Sequence, residues 1–203
     1  MLRRLVLALI PAATLLVAAP AYSAGVVGQK APDFALKNVS GKIVNLSDFK
    51  GKHVVLEWTN PGCPFVKKHY DGGNMPATQK DAAAKGVVWL SINSTAKSSG
   101  DFMEPAKLVA WQKEKQASAT LLMDEEDTAG KAYGARTTPH LYIVNPQGTL
   151  IYAGGIDSIA SASASDIAKA TNYVKTGLAE AVAGKPLTTA TSQPYGCSIK
   201  YKS

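Results

Sequence analysis

Apolar residues occur in short segments separated by polar turns, and their spacing alternates between the patterns of strands and of helices. The near-continuous apolar segments 53–58 and 87–92 are typical of buried central strands. Shorter strands are predicted at 34–36, 42–46, 120–123, 140–144 and 149–153, the first two forming an N-terminal β-hairpin. Helices are predicted from residue 64, over 75–85, over 104–115 and, with Asp166 as cap, over 166–183. This order predicts one α/β domain with helices on both faces of a mixed central sheet.

The first residues have the features of a signal peptide. Arg3 and Arg4 precede an uncharged apolar segment over 5–19, and Ala21-Tyr22-Ser23 offers the small-x-small pattern of a cleavage site. The alternative is an uncleaved membrane anchor, but the apolar segment is shorter than the ~20 residues that a span needs. We therefore expect an exported protein, periplasmic or extracellular, with no membrane span after signal removal.

Three parts of the chain follow from this interpretation. Residues 1–23 are a signal peptide, residues 25–184 form the folded domain, and residues 185–203 are a C-terminal tail that carries Cys197. The formal net charge is +7, or about +5 once the two signal arginines are removed. An excess so small, without a run of basic residues, argues against nucleic acid as a partner.

Cysteine is the residue type most informative about chemistry. The chain has two cysteines, Cys63 and Cys197, and neither belongs to a C-x-x-C pair. In a compartment that permits disulfides, a structural disulfide, a redox couple and two unrelated thiols all fit these two residues.

Cys63 follows a predicted buried strand and stands where a helix is predicted to begin. The unpaired N–H groups and the dipole at a helix N-terminus favour a thiolate over a thiol, and the thiolate is the species that attacks disulfides and peroxides. The alternative is a buried, inert cysteine. Pro61, Gly62 and Pro64 around it indicate a loop and favour the reactive interpretation.

Lys67, Lys68 and His69 follow Cys63 on the same predicted helix. We interpret them as a solvated helix face; the alternative is that they add positive potential near Cys63.

The residues around Cys63 and Pro139 resemble those of the thioredoxin superfamily. An acid, Glu57, lies six residues before Cys63, and Thr138-Pro139 stands just before a predicted strand. The resemblance implies a thioredoxin-like fold, a cis bond before Pro139 and a role for Glu57 as the buried proton partner of Cys63. The alternative for Glu57 is an ordinary carboxylate at the exposed end of a strand. The resemblance also implies a substrate-facing surface, to which we assign Thr138, Pro139, Trp58 and Asn60.

Within that superfamily the chain is similar to the peroxiredoxin-like redoxin (AhpC/TSA-domain) proteins. The segments that carry this similarity are 28–34, 60–66, 133–135 and 194–197. Val66 replaces the second cysteine of C-x-x-C, so Cys197 is the candidate resolving cysteine or disulfide partner. Asn60 and Leu56 occupy the positions of the Thr and Pro that peroxiredoxins carry before their reactive cysteine, so we expect slow reaction with peroxide.

The resulting hypothesis is an exported thiol–disulfide oxidoreductase with Cys63 as nucleophile and an antioxidant or redox role. Its partners would be protein thiols and disulfides or a small peroxide, and no cofactor or metal is implied. The copper chaperones of the superfamily need a second cysteine where this chain has Lys67. Two alternatives remain: an atypical thiol peroxidase, and a non-catalytic module cross-linked by a disulfide between Cys63 and Cys197.

Overall fold

The structure, a computed structural model, describes residues 25–202. The predicted signal peptide lies outside these residues. Among the described residues, no helix combines the length and apolar character that crossing a membrane requires.

Seven strands form a mixed sheet in the order β2-β1-β5-β4-β3-β7-β8. These strands are β1 Ala35–Asn38, β2 Ile43–Asn45, β3 Val54–Trp58, β4 Val88–Asn93, β5 Thr120–Met123, β7 His140–Val144 and β8 Leu150–Gly154. Strands β3, β4 and β5 are parallel to one another, whereas β7 and β8 run antiparallel at one side and β1 and β2 at the other. The predicted strands, including the N-terminal hairpin, are therefore confirmed to within about two residues.

Five α-helices accompany the sheet in the described part of the chain. They are α1 Pro64–Asp71, α2 Asn74–Ala84, α3 Pro105–Glu114, α4 Thr128–Tyr133 and α5 Tyr173–Val182. Short 3₁₀ helices follow β2, at Leu46–Phe49, and precede α5, at Ala164–Lys169. Helix α4 was not predicted.

The central strand β3 divides the core because alternate side chains point to opposite faces of the sheet. Val54, Leu56 and Trp58 pack with the N-terminal hairpin and α4, whereas Val55 packs with residues of α1, α2 and α5. All five residues of β3 are buried. The expected mixed sheet with helices on both faces is confirmed.

The last helix differs from its prediction. Residues 164–169 form a 3₁₀ helix with no buried residue, and α5 begins only at Tyr173. Asn172 is the cap, because its side chain accepts a hydrogen bond from the Lys175 N–H at 2.9 Å. Asp166 instead accepts a 2.6 Å hydrogen bond from the Ser161 hydroxyl. The predicted capping role of Asp166 is therefore wrong.

The C-terminal tail is an ordered part of the fold. Its strand β9, Cys197–Ser198, pairs antiparallel with β6, Thr137–Thr138, to form a second, two-stranded sheet. Strand β6 directly precedes β7, so this small sheet lies beside the end of the central sheet at which β3 leads into α1.

Candidate active site

Cys63 lies where β3 passes through a short loop into α1. It is the N-cap residue of that helix, and Pro64 takes the first helical position, where its missing N–H removes no hydrogen bond. The cysteine is 3% exposed. A helix N-terminus stabilises negative charge, so this placement favours the thiolate whenever the sulfur is reduced.

Cys63 and Cys197 are joined by a disulfide bond, with their Cα atoms 5.9 Å apart. Strand β9 places Cys197 there, directly opposite Thr138 of β6. The Cys63 Sγ lies 3.0 Å from the Thr138 carbonyl oxygen, and the Thr138–Pro139 peptide bond is cis, as predicted. The structure thus brings together four of the predicted site residues, and the alternative of two unrelated thiols does not hold.

Asn60 organises the loop before Cys63. Its side-chain oxygen accepts a 2.8 Å hydrogen bond from the Gly62 N–H, and its amide group donates to Thr95 Oγ1 at 2.9 Å and to the Asp101 carbonyl at 3.1 Å. Asn60 therefore ties the cysteine loop to the loop that follows β4. It also lines, with Thr138 and the two cysteines, a pocket of about 210 Å³ beside the disulfide.

Glu57 is the fourth of the five residues of β3 and is fully buried, so the alternative of an exposed carboxylate at a strand end is wrong. Its carboxylate accepts four hydrogen bonds, which come from Tyr70 Oη at 2.8 Å, Gln79 Nε2 at 3.2 Å, Trp89 Nε1 at 2.7 Å and Ser91 Oγ at 3.0 Å. Burial raises the pKa of the Glu57 carboxyl above its ordinary value, while the four donors act in the opposite direction. None of these four hydrogen bonds comes from Cys63.

Trp58 does not face the surface. It has no exposed area, its indole N–H donates to Ser94 Oγ at 3.0 Å, and its ring packs against Tyr133 and Tyr142. Side chains alternate along β3, so the residue after Glu57 points to the opposite face of the sheet. The expectation that Trp58 faces substrate therefore disagrees with its position in the core.

A second buried polar cluster, which sequence reasoning missed, lies behind Cys63. Lys68 and His69 of α1 were interpreted as part of a solvated helix face, but they are 3% and 0% exposed. Lys68 Nζ lies 3.4 Å from Asp157 Oδ2, and His69 Nε2 lies 3.1 Å from Tyr195 Oη. The Tyr195 hydroxyl donates to Asp157. We call Lys68, His69, Asp157 and Tyr195 the Asp157 cluster.

The ionisation of this cluster follows from its burial. Burial lowers the pKa of His69 to about 4, with Lys68 acting in the same direction and Asp157 opposing both. The histidine is therefore neutral at pH 7. No sequence signal marked Asp157, but Pro194-Tyr195-Gly196 beside Cys197 had been recognised as a family-like segment.

Metal ligands are not grouped at this site. Within residues 25–202, no set of three or more His, Cys, Asp and Glu side chains is arranged to hold a metal ion.

Similarity to solved structures establishes the class of fold. A hypothetical protein from Sinorhizobium meliloti 1021 superposes with a TM-score of 0.75 at 22% identity, covering 89% of this chain and 97% of that one. The thioredoxin domain of a thiol-disulfide oxidoreductase from Bacteroides vulgatus superposes with a TM-score of 0.52 at 20% identity, covering 71% of this chain and 96% of that one. The fold is thioredoxin-like.

The family follows from the sequence comparison. The AhpC/TSA family model matches residues 27–153, and the chain belongs to this family. The thiol-disulfide oxidoreductase ResA of Bacillus subtilis (strain 168) is 25% identical over 126 residues, which are 61% of this chain and 64% of that protein. Peroxiredoxin Bcp of the same strain is 31% identical over 135 residues, 62% of this chain and 82% of that protein. The chain thus spans less than two thirds of the length of ResA.

Proposed function

We propose that this chain is an exported thiol–disulfide oxidoreductase in which Cys63 is the nucleophile and Cys197 resolves the mixed disulfide. The observation that carries the proposal is the disulfide between these cysteines at the N-terminus of α1, beside Thr138-Pro139. The similarity to ResA supports the same reaction.

The reaction has two exchange steps. The Cys63 thiolate attacks a disulfide of the partner molecule, forms a mixed disulfide and releases one partner thiolate. The Cys197 thiolate then attacks the Cys63 sulfur, which releases the second partner thiolate and leaves the Cys63–Cys197 disulfide. The partner gains two electrons and the protein is oxidised by two electrons; run in reverse, the same steps oxidise a partner dithiol.

Each remaining site residue has a role in this proposal. The helix N-terminus stabilises the Cys63 thiolate as attacking and as leaving group. Glu57 is the proton partner of Cys63, acting from the same face of the sheet. Asn60 fixes the loop that carries the sulfur, and the Thr138 carbonyl and the pocket beside it receive the partner. Protein thiols or disulfides are the proposed substrates.

The test uses the reduced Cys197→Ser protein, with Cys63→Ser as matched control. We expect thiolate absorbance to give Cys63 a pKa below the ~8.5 of a free cysteine, and we expect the same protein to form a stable mixed disulfide with a disulfide-bonded peptide. Cys63→Ser should form none. A Cys63 pKa at or above that of a free cysteine, or equal trapping by both variants, would refute the assignment of the nucleophile.

A thiol peroxidase is the second candidate, because the chain is 31% identical to peroxiredoxin Bcp over the matched residues. In that reaction the Cys63 thiolate would reduce ROOH to ROH and become a sulfenic acid, which Cys197 would convert to the disulfide with release of water. Asn60 and Leu56 replace the peroxiredoxin Thr and Pro, so we expect slow consumption of hydrogen peroxide. Stopped-flow competition with a fast peroxidase distinguishes the two, and rapid consumption would favour the peroxidase.

A further inference from the structure

The C-terminal strap, residues 190–202, is attached to the domain along its whole length and not only at Cys197. Besides the β6–β9 pairing, its hydrogen bonds to the domain include Ser192 N–H to the Ala153 carbonyl at 3.2 Å and Ile199 N–H to the Arg136 carbonyl at 3.0 Å. Further on, the Tyr201 hydroxyl donates to the Ala135 carbonyl at 2.7 Å. The strap is therefore hydrogen-bonded to the domain on both sides of Cys197.

Tyr195 is the most deeply anchored side chain of the strap. It is 9% exposed, and its ring packs edge-on against Phe65 of α1 with the ring centroids 5.8 Å apart. Lys68 Nζ lies 5.6 Å from the centroid of the same ring. The hydroxyl reaches Asp157 and His69, so the tyrosine completes the buried Asp157 cluster.

The hydrogen bonds of this cluster run in one direction. The Asn74 amide donates to His69 Nδ1 at 2.8 Å, which leaves the proton of the neutral ring on Nε2, facing Tyr195 Oη. Tyr195 in turn donates to Asp157, whose other oxygen faces Lys68. Removing the tyrosine hydroxyl would deprive two buried groups, His69 Nε2 and the Asp157 carboxylate, of this hydrogen-bond partner. Such a loss lowers the stability of the docked strap.

The residue after this anchor allows the close approach of the strap. Gly196 has a φ of +136°, and a Cβ atom there would lie 2.7 Å from the Thr138 carbonyl carbon. Glycine therefore permits the backbone to meet β6 directly. Three consecutive residues thus supply an anchor, a close approach and the reactive sulfur.

We propose that Tyr195 is a positioning residue that keeps the strap docked in the dithiol state, so that Cys197 stays beside Cys63 after the disulfide is reduced. The anchor makes Cys197 an intramolecular partner at high effective concentration. The inference deepens the proposed function and rests on it only in taking the pair to cycle between disulfide and dithiol.

Hydrogen exchange of the strap amides tests docking without the disulfide. In the Cys63→Ser/Cys197→Ser protein we expect the Ser192 and Ile199 amides to remain protected. Adding Tyr195→Phe should lower that protection about 10-fold or more, since a hydrogen bond to a charged group is lost. Adding Tyr133→Phe instead removes a buried tyrosine hydroxyl that donates to the Pro32 carbonyl at 2.7 Å and not to the strap, so it should leave the protection of the strap amides unchanged.

The thiol–disulfide equilibrium tests the consequence for the cysteines. In a dithiothreitol redox mixture, with the two states counted by alkylation and mass, Tyr195→Ala should shift the equilibrium toward the dithiol at least about 10-fold, which is about 30 mV. Tyr133→Phe should match the unaltered protein.

Either of two results would overturn the proposal. The first is that the strap amides are unprotected in the Cys63→Ser/Cys197→Ser protein. The second is that their hydrogen-exchange rates are the same with and without the Tyr195 hydroxyl. Circular dichroism confirms in each case that the domain has folded. Neither measurement needs catalytic turnover, so an inactive oxidoreductase would refute the proposed function and leave the docking result intact.

Discussion

Glu57 and Asp157 are both buried carboxylates, yet their surroundings differ. Glu57 receives hydrogen bonds from four uncharged side chains, all within residues 70–91. Asp157 faces a buried lysine and accepts a hydrogen bond from Tyr195, so it joins helix α1 to the strap. Glu57 is thus stabilised by uncharged hydrogen-bond donors that lie within residues 27–153, the region that matches the family model. Asp157 instead connects two segments far apart in sequence, α1 and the strap, and the strap lies beyond that region.

The largest effect is expected from breaking the Asp157 cluster. Asp157→Ala leaves Lys68 buried without its counter-ion, so we expect the free energy of unfolding to fall by about 3–5 kcal/mol. Denaturant unfolding measures this. Adding Lys68→Met should restore much of the loss because the unpaired charge is then gone; a double variant no more stable than Asp157→Ala would show that the ion pair is not the cause.

The contributions of His69 and Glu57 to the free energy of unfolding should change with pH in opposite directions. The pKa of His69 falls from 6.5 to about 4 on folding, so its contribution to stability is complete above pH 6.5 and is lost as the pH falls towards 4. Glu57 has a raised pKa, so its contribution is complete below its ordinary 4.5 and is lost as the pH rises through the folded-state pKa.

We therefore expect the free energy of unfolding to fall by about 1–3 kcal/mol between pH 6.5 and 4 on account of His69. His69→Gln should make this slope shallower. It should not abolish it, because burial also lowers the pKa of His140, to about 3. An unchanged slope in His69→Gln would assign the pH dependence to other groups.

The smallest effect on stability is expected at Glu57. In Glu57→Gln the side-chain oxygen can still accept from Trp89 and Ser91, while the new amide N–H faces the Tyr70 hydroxyl. The free energy of unfolding should therefore change by about 1 kcal/mol or less. Disulfide exchange should nevertheless slow, since Cys63 would lose its proton partner. Exchange rates equal to those of the unaltered protein at every pH from 6 to 9 would make Glu57 a structural residue only.

The same contrast explains what could be predicted from the sequence. The central strands, the helix start at Pro64 and the position of Thr138-Pro139 follow from local signals: apolar segments, a proline at a first-turn position and a family-like motif. Lys68 was misjudged because its partner, Asp157, is 89 residues away, and no local pattern distinguishes a buried lysine from a solvated one. Asp166 was misjudged because the apolar spacing runs through both the 3₁₀ helix and α5, while the cap that forms is at Asn172.

The pairing of β9 with β6 also affects whether two copies of this chain can exchange their straps. A strand with unpaired N–H and C=O groups is a template to which a strand of another molecule can add. Thr137 and Thr138 already pair within their own chain, with Ser198 and Cys197. A strap released by one molecule could instead complete β6 of a neighbour and carry its cysteine across, exchanging identical segments between two copies. The pairing of the strap with its own chain therefore opposes this exchange, and we expect release of the strap to favour it.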